Sequence, residues 1–184
     1  MPETQAKPTP TARVFFALWP DAAVRRALMQ VGLKLHRQVD GKLAREESVH
    51  MTLLFLGDTP VDRLDALRTA AAAAPFESFT LPIEQAGCWN HNKVVWVAPM
   101  QTPPALARLV DGLERQVAAQ GFAFDRRAFA PHITLVRKAH RMALESKVPS
   151  IEWRVREFVL MRSELNSNGS RYEVIGRWPP SAAV

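Results

Sequence analysis

The chain has 184 residues, of which 47% are hydrophobic and 23% charged. That composition fits one globular domain, or two small lobes sharing a core, and excludes a collagen-like repeat, a disordered tail or a disulfide scaffold. A single cysteine, Cys88, rules out an internal disulfide and a CxxC pair, so the expected compartment is the cytoplasm. Lys and Arg outnumber Asp and Glu 24 to 18, giving a net charge of +6 and a pI near 10.1. The excess favours encounter with polyanions such as nucleic acids, although a merely basic, solvated surface would show the same balance.

Met1 to Pro10 carries three prolines and no apolar segment, so it reads as a loose tail rather than a signal peptide. No apolar run approaches the ~20 residues needed to span a bilayer. Arg13 to Leu18 reads as a buried strand, and Asp21 is placed to cap a helix whose apolar stripe is Val24, Leu28, Val31 and Leu35. Val49 to Leu56 is strand-like and is expected to end at Gly57. Thr59 is then placed to cap a second helix with Pro60 in its first turn and Val61, Leu64, Leu67 and Ala71 on its apolar face.

Phe79 to Ile83 and Lys93 to Ala98 read as a hairpin around Gly87 and Asn90 to Asn92. Thr102 and Pro103 open a third helix with the stripe Leu106, Leu109, Val110, Leu113 and Val117, closed by Gly121. Pro131 to Val136 follows as a strand. Trp153 to Arg162 and Tyr172 to Gly176 are the last two, around a polar turn at Asn166 to Ser170.

The order of elements contains a duplication. Arg13 to Pro20, a helix and His50-Met51-Thr52-Leu53 match Lys93 to Pro99, a helix and His132-Ile133-Thr134-Leu135. The two histidines lie 82 residues apart and the two prolines, Pro20 and Pro99, lie 79 apart. On a strand, residues two apart share a face. His50 with Thr52, and His132 with Thr134, therefore each present an imidazole and a hydroxyl on one side, and a pseudo-twofold axis would turn the two sets toward each other.

Two opposed imidazoles suit a reaction that adds one proton and removes another near neutral pH. Threonine hydroxyls can donate to an anionic oxygen without adding charge. Arg137 and Phe55 each lie five residues after a motif histidine, an odd offset that alternation would turn away from the cleft unless the strand bulges or ends. With that adjustment Arg137 can clamp a phosphate and Phe55 can stack a base. His36, His91 and His140 read as solvated surface, and Cys88 beside Trp89 as core. A metal at His50 and His132 would lack a carboxylate or cysteine ligand at suitable spacing. No P-loop or dinucleotide glycine pattern is present.

Ser48-Val49-His50-Met51-Thr52-Leu53-Leu54-Phe55-Leu56-Gly57, Pro131-His132-Ile133-Thr134-Leu135-Val136-Arg137 and the opening strand Val14 to Leu18 together resemble the two-histidine (2H) phosphoesterase superfamily, and within it the RNA 2′,3′-cyclic phosphodiesterases once called 2′-5′ RNA ligases. The likeness runs over about residues 12 to 178. It implies an α+β, bilobal, duplicated fold in which two antiparallel sheets backed by helices flank a central cleft. By this likeness residues 1–11 form a tail, 12–178 one bilobal domain and 179–184 a C-terminal tail.

It also implies hydrolysis of 2′,3′-cyclic phosphate ends to 2′-phosphomonoesters with neither metal nor cofactor. His50 and His132 would be the acid/base pair, His132 as base and His50 as acid. Thr52, Thr134 and Arg137 would hold the phosphate, and Phe55 the base. The expected substrates are RNA ends or cyclic nucleotides, handled by a monomer away from membranes. Two rivals remain open at this point: a non-catalytic RNA-binding module, and reversible 2′-5′ ligation as the main activity.

Overall fold

The computed structural model describes residues 9–141, 143–166 and 169–179. Residues 1–8 of the expected N-terminal tail, 180–184 of the C-terminal one, and positions 167 and 168 of the expected polar turn lie outside the described residues. In chain order the elements are β1 (Thr11–Leu18), α1 (Ala22–Val39), β2 (Lys42–Leu43), β3 (Met51–Pro60), α2 (Leu64–Ala73), β4 (Phe79–Trp89), β5 (Val94–Ala98), α3 (Pro104–Ala119), β6 (Ile133–Arg137), β7 (Lys147–Val155), β8 (Phe158–Asn166) and β9 (Gly169–Trp178).

Every strand pair is antiparallel. The order β7-β4-β5-β6-β3-β1-β8-β9, with β2 beside β6, divides into two four-stranded halves that meet where β3 touches β6. That join is a single register pair, Met51 opposite Ile133. The two halves are therefore two lobes whose sheets are joined by a narrow backbone seam. One continuous apolar cluster, running from Val14 and Leu28 to Leu113, Leu135 and Phe158, fills the space beneath both.

The helices bind the lobes together by crossing over. α1, which belongs to the first half of the chain, packs on β6 and β7 of the second, whereas α3 of the second half packs on β3 and on α2. The Asp21 carboxylate accepts from the backbone N–H groups of Ala23 and Val24 at 2.9 Å, and all four residues of the expected α1 stripe are buried. The expected α3 stripe is buried throughout as well.

Several local expectations are corrected. β3 runs on through Gly57 to Pro60 because β1 supplies partners along its whole length, from Thr11 opposite Pro60 to Leu18 opposite Met51. Thr59 is thus buried inside the ladder, not at a helix cap, and one 3₁₀ turn at Val61–Arg63 precedes α2. Val61 is exposed. α3 starts at Pro104 with Pro103 in the capping position, so Thr102 lies too far upstream to cap it. β4 extends to Trp89 and takes in Gly87, confining the hairpin turn to residues 90–93. Finally, Trp153 to Arg162 is not one strand: it breaks at Arg156 and Glu157, and its pieces go to opposite lobes, β7 against β4 and β8 against β1.

Candidate active site

His50 and His132 sit immediately before the paired residues Met51 and Ile133. Continuing that antiparallel register one residue each way sets His50 against Thr134 and Thr52 against His132. The pseudo-twofold axis expected from the sequence therefore passes between Met51 and Ile133, and the four polar side chains form a square around it. All four line one cavity of about 330 Å³, together with Ser48 and Tyr172.

Each imidazole is fixed in the same way. His50 Nδ1 lies 2.7 Å from the carbonyl oxygen of Ser48, and His132 Nδ1 lies 2.8 Å from that of Ala130. A carbonyl oxygen can only accept, so Nδ1 of each ring carries the hydrogen and Nε2 is left as the proton-exchanging nitrogen. Among the described residues neither Nε2 has a hydrogen-bond partner, and neither do the hydroxyls of Thr52 and Thr134.

Aromatic rings hold the imidazoles laterally. Trp19 stacks on His50 at 5.8 Å and 21°, with Phe15 at 5.1 Å and Tyr172 edge-on at 5.2 Å. Trp89 meets His132 edge-on at 4.5 Å. Enclosure removes water from both rings and so disfavours their charged forms. It pushes His50 from the ordinary 6.5 down to about 4, opposed by the Ser48 carbonyl and reinforced by the charges of Arg137 and His132. His132 is lowered by burial too, against the pull of the Ala130 carbonyl and with a further push from Arg137. The free protein at pH 7 thus holds two neutral imidazoles beside a permanent cation.

Arg137 and Phe55 reach the cleft because both motif strands bulge. Opposite β1, the partner of Ala17 is Thr52 and that of Phe16 is Leu54, so Leu53 is an extra residue. Opposite β5, Trp96 pairs with Thr134 and Val95 with Val136, so Leu135 is extra. Leu53 and Leu54, like Leu135 and Val136, both point into the core, and the alternation resets so that Phe55 and Arg137 return to the cleft face. Arg137 borders the cavity and two adjoining ones of about 470 and 250 Å³. It has no ion-pair partner among the described residues.

The six expected site residues are therefore brought together: His50, His132, Thr52, Thr134 and Arg137 around one cavity, and Phe55 in the two beside it. The sequence reading missed Trp19, Tyr172, Trp89 and the carbonyls of Ser48 and Ala130. Trp19 had a signal, since Phe15, Ala17 and Trp19 alternate on one face. Of the other histidines, His36 is half-buried with Nε2 3.1 Å from the Gly41 carbonyl, His140 pairs with Asp40 at 3.0 Å, and exposed His91 edges the 470 Å³ cavity. Cys88 packs half-buried against the core. Among the described residues no three His, Cys, Asp or Glu side chains converge as a metal site, and no helix is long and apolar enough to cross a membrane.

Two imidazoles, two hydroxyls and a guanidinium, set by a duplicated pair of bulged strands, define a two-histidine acid/base site shaped for an anion. The model of the 2′-5′ RNA ligase superfamily matches residues 17–166, and the chain belongs to that family. The RNA 2′,3′-cyclic phosphodiesterase of Escherichia coli K12 is 32% identical over 168 residues, covering 90% of this chain and 95% of that protein. The protein of the same name from Thermus thermophilus is 33% identical over 184 residues, covering 90% and 89%. Among solved structures, E. coli LigT in apo form is similar with a TM-score of 0.83 at 31% identity, covering 92% of this chain and 97% of that one. LigT complexed with 3′-AMP matches equally well, over 91% and 97%.

Proposed function

We propose that the protein is an RNA 2′,3′-cyclic phosphodiesterase that opens the ring to a 2′-phosphomonoester by acid/base catalysis between His50 and His132. The observation that carries this reading is the matched pair of imidazoles, each with Nδ1 tied to a backbone carbonyl, facing two threonine hydroxyls and an arginine that have no side-chain partner among the described residues. His132 Nε2 takes a proton from water as the water oxygen bonds to phosphorus. The bond from phosphorus to the 3′ oxygen breaks in line, and His50 Nε2 gives that oxygen its proton. Thr52, Thr134 and Arg137 stabilise the non-bridging oxygens, while Phe55 stacks the base.

His50 needs a proton for this role although burial lowers its pKa to about 4. The bound phosphate supplies the counter-charge, and a ring in dry surroundings responds to it more strongly than a solvated one. The substrates are RNA ends or small cyclic nucleotides, and the protein works as a cytoplasmic monomer.

The deciding experiment incubates the purified protein with a nucleoside 2′,3′-cyclic phosphate in excess chelator and identifies the product by ³¹P NMR. A 2′-phosphate is expected. Formation of the 3′-phosphate, or activity abolished by chelator and restored by a divalent ion, overturns the mechanism. A substrate with sulfur in place of the 3′ oxygen assigns the roles, because a thiolate leaves without a proton. It is expected to rescue His50→Ala and not His132→Ala.

A further inference from the structure

The largest unexplained charge in the cleft lies beside the catalytic residues rather than among them. The short strand β2 pairs with the end of β6 so that Lys42 stands directly opposite Arg137. Like charges in opposed cross-strand positions destabilise the pairing, yet both side chains face the same cavity. Lys138 follows on the same rim, with its backbone in the left-handed region at φ 52°, a conformation that costs a non-glycine residue energy. Arg45 completes the group, its guanidinium on the carbonyl oxygen of Ser170 and 3.4 Å from the Glu47 carboxylate.

Among the described residues no acidic side chain lines this cavity. Neither Lys42 nor Lys138 has an ion-pair partner among them. The nearby acid on the same loop, Asp40, is turned to His140 and to the Gly41 N–H. Two exposed lysines beside Arg137 thus stand on the rim of a concave site with no ion-pair partner among the described residues, an arrangement that an anionic ligand would complement.

We propose that Lys42, Lys138 and Arg45 form a second phosphate subsite, which takes a phosphate on the 5′ oxygen of the nucleoside bearing the cyclic phosphate. Lys42 is one strand spacing, ~4.8 Å, from Arg137, and a lysine stem reaches a further phosphate one ribose away from the one that Arg137 holds. The chemistry is shared by a free 5′-phosphate and by the phosphodiester linking the preceding nucleotide of an RNA. The inference rests on the cyclic phosphodiesterase reading and adds to it a preference for substrates that carry this second phosphate.

The test compares kcat/KM on three probes: a nucleoside 2′,3′-cyclic phosphate, its 5′-phosphorylated form, and a dinucleotide ending in the cyclic phosphate. The wild type is expected to favour one or both of the doubly phosphorylated probes by roughly tenfold at low salt, and the advantage is expected to shrink as salt rises. In Lys42→Gln/Lys138→Gln the advantage should collapse to about one while the rate on the plain cyclic nucleoside persists, which also shows that the variant is folded. Advantage with the dinucleotide alone identifies the upstream linkage as the ligand, and advantage with the 5′-phosphorylated probe alone identifies the free phosphate. Equal rates on all three probes in the wild type, or an advantage that survives the double substitution, overturn the subsite and leave the enzymatic reading standing. Absence of turnover on every probe overturns the enzymatic reading itself.

Discussion

Phe55 and Arg137 occupy the same position in the two halves of the molecule, each three residues after a motif threonine and each returned to the cleft by an extra leucine, Leu53 in one strand and Leu135 in the other. The duplication therefore extends past the His-x-Thr motif to a fifth and sixth cleft position, which have diverged: one half offers a ring and the other a guanidinium. The Arg13 guanidinium lies 4.9 Å from the centre of the Phe55 ring and backs it as a platform.

From this pairing Arg137→Ala is expected to lower kcat/KM on a cyclic phosphate by about 10²-fold, the loss associated with removing one preorganised donor to a developing oxyanion. Arg137→Lys should also be damaging, since a point-charge ammonium does not reproduce the planar fork. Phe55→Ala is expected to raise KM more than it lowers kcat, because stacking binds ground state and transition state alike. Steady-state kinetics of the three variants check this. Near-wild-type kcat/KM for both Arg137 variants would remove that residue from the site.

His50→Ala and His132→Ala are each expected to reduce turnover by roughly 10²–10⁴-fold, the usual range for a positioned acid or base, and the double variant by little more than the worse single one, since the pair acts as a unit. The pH profile should be bell-shaped. Burial lowers both imidazoles from 6.5, His50 to about 4, so protonation of the pair in the free protein sets in only on the acid side of 6.5. The kcat/KM maximum is expected there. The kcat maximum should lie at higher pH, because bound phosphate stabilises imidazolium in the complex. A kcat/KM that rises steadily from about pH 5 to 9 would refute the paired assignment.

The same burial makes a prediction about stability. An imidazole whose pKa is lower in the folded state than in the unfolded one binds fewer protons when folded, so the unfolded state gains as pH falls. The contribution from His50 is fully present above pH 6.5 and is lost progressively as pH drops toward 4, a swing of ~3 kcal/mol at one and a third kcal/mol per pH unit. Denaturant midpoints measured from about pH 7 to 4 should fall for the wild type, and less steeply for His50→Asn. Parallel slopes would show that His50 is not held neutral by the fold.

Much of this site was readable in the sequence because strand alternation is a local rule. His50 with Thr52, and His132 with Thr134, needed only a period of two, and the repeat of the whole strand-helix-strand unit told the pair apart from chance. What escaped was set by tertiary pairing. The bulges at Leu53 and Leu135 depend on the partners β1 and β5, so the odd offset of Phe55 and Arg137 was visible and its resolution was not. The break at Arg156 and Glu157 escaped for the same reason: its two halves are each good strand sequence, and only their assignment to opposite lobes separates them. Trp89 was hidden because Gly87 reads as a turn residue.

Gly87 is in fact a strand glycine kept free of a side chain by a neighbouring ring. A Cβ at this position would lie 2.3 Å from the Trp96 indole. Trp96 in turn packs against Trp89 at 5.6 Å, and Trp89 against His132 at 4.5 Å, so overpacking here is transmitted to the His132 ring. Gly176 makes a useful comparison, because its Cβ would meet Trp178 at the same 2.3 Å, yet Trp178 packs on Phe16 and Phe158 in the core and not on either motif histidine. Gly87→Ala and Gly176→Ala should each destabilise by roughly 1–3 kcal/mol, as inserted methyl groups do in packed interiors. Only Gly87→Ala should lower kcat when both variants are assayed well below their melting temperatures. If Gly176→Ala loses activity to the same degree, the loss reflects general loosening; if Gly87→Ala keeps full kcat, Trp96 and Trp89 do not set the position of His132.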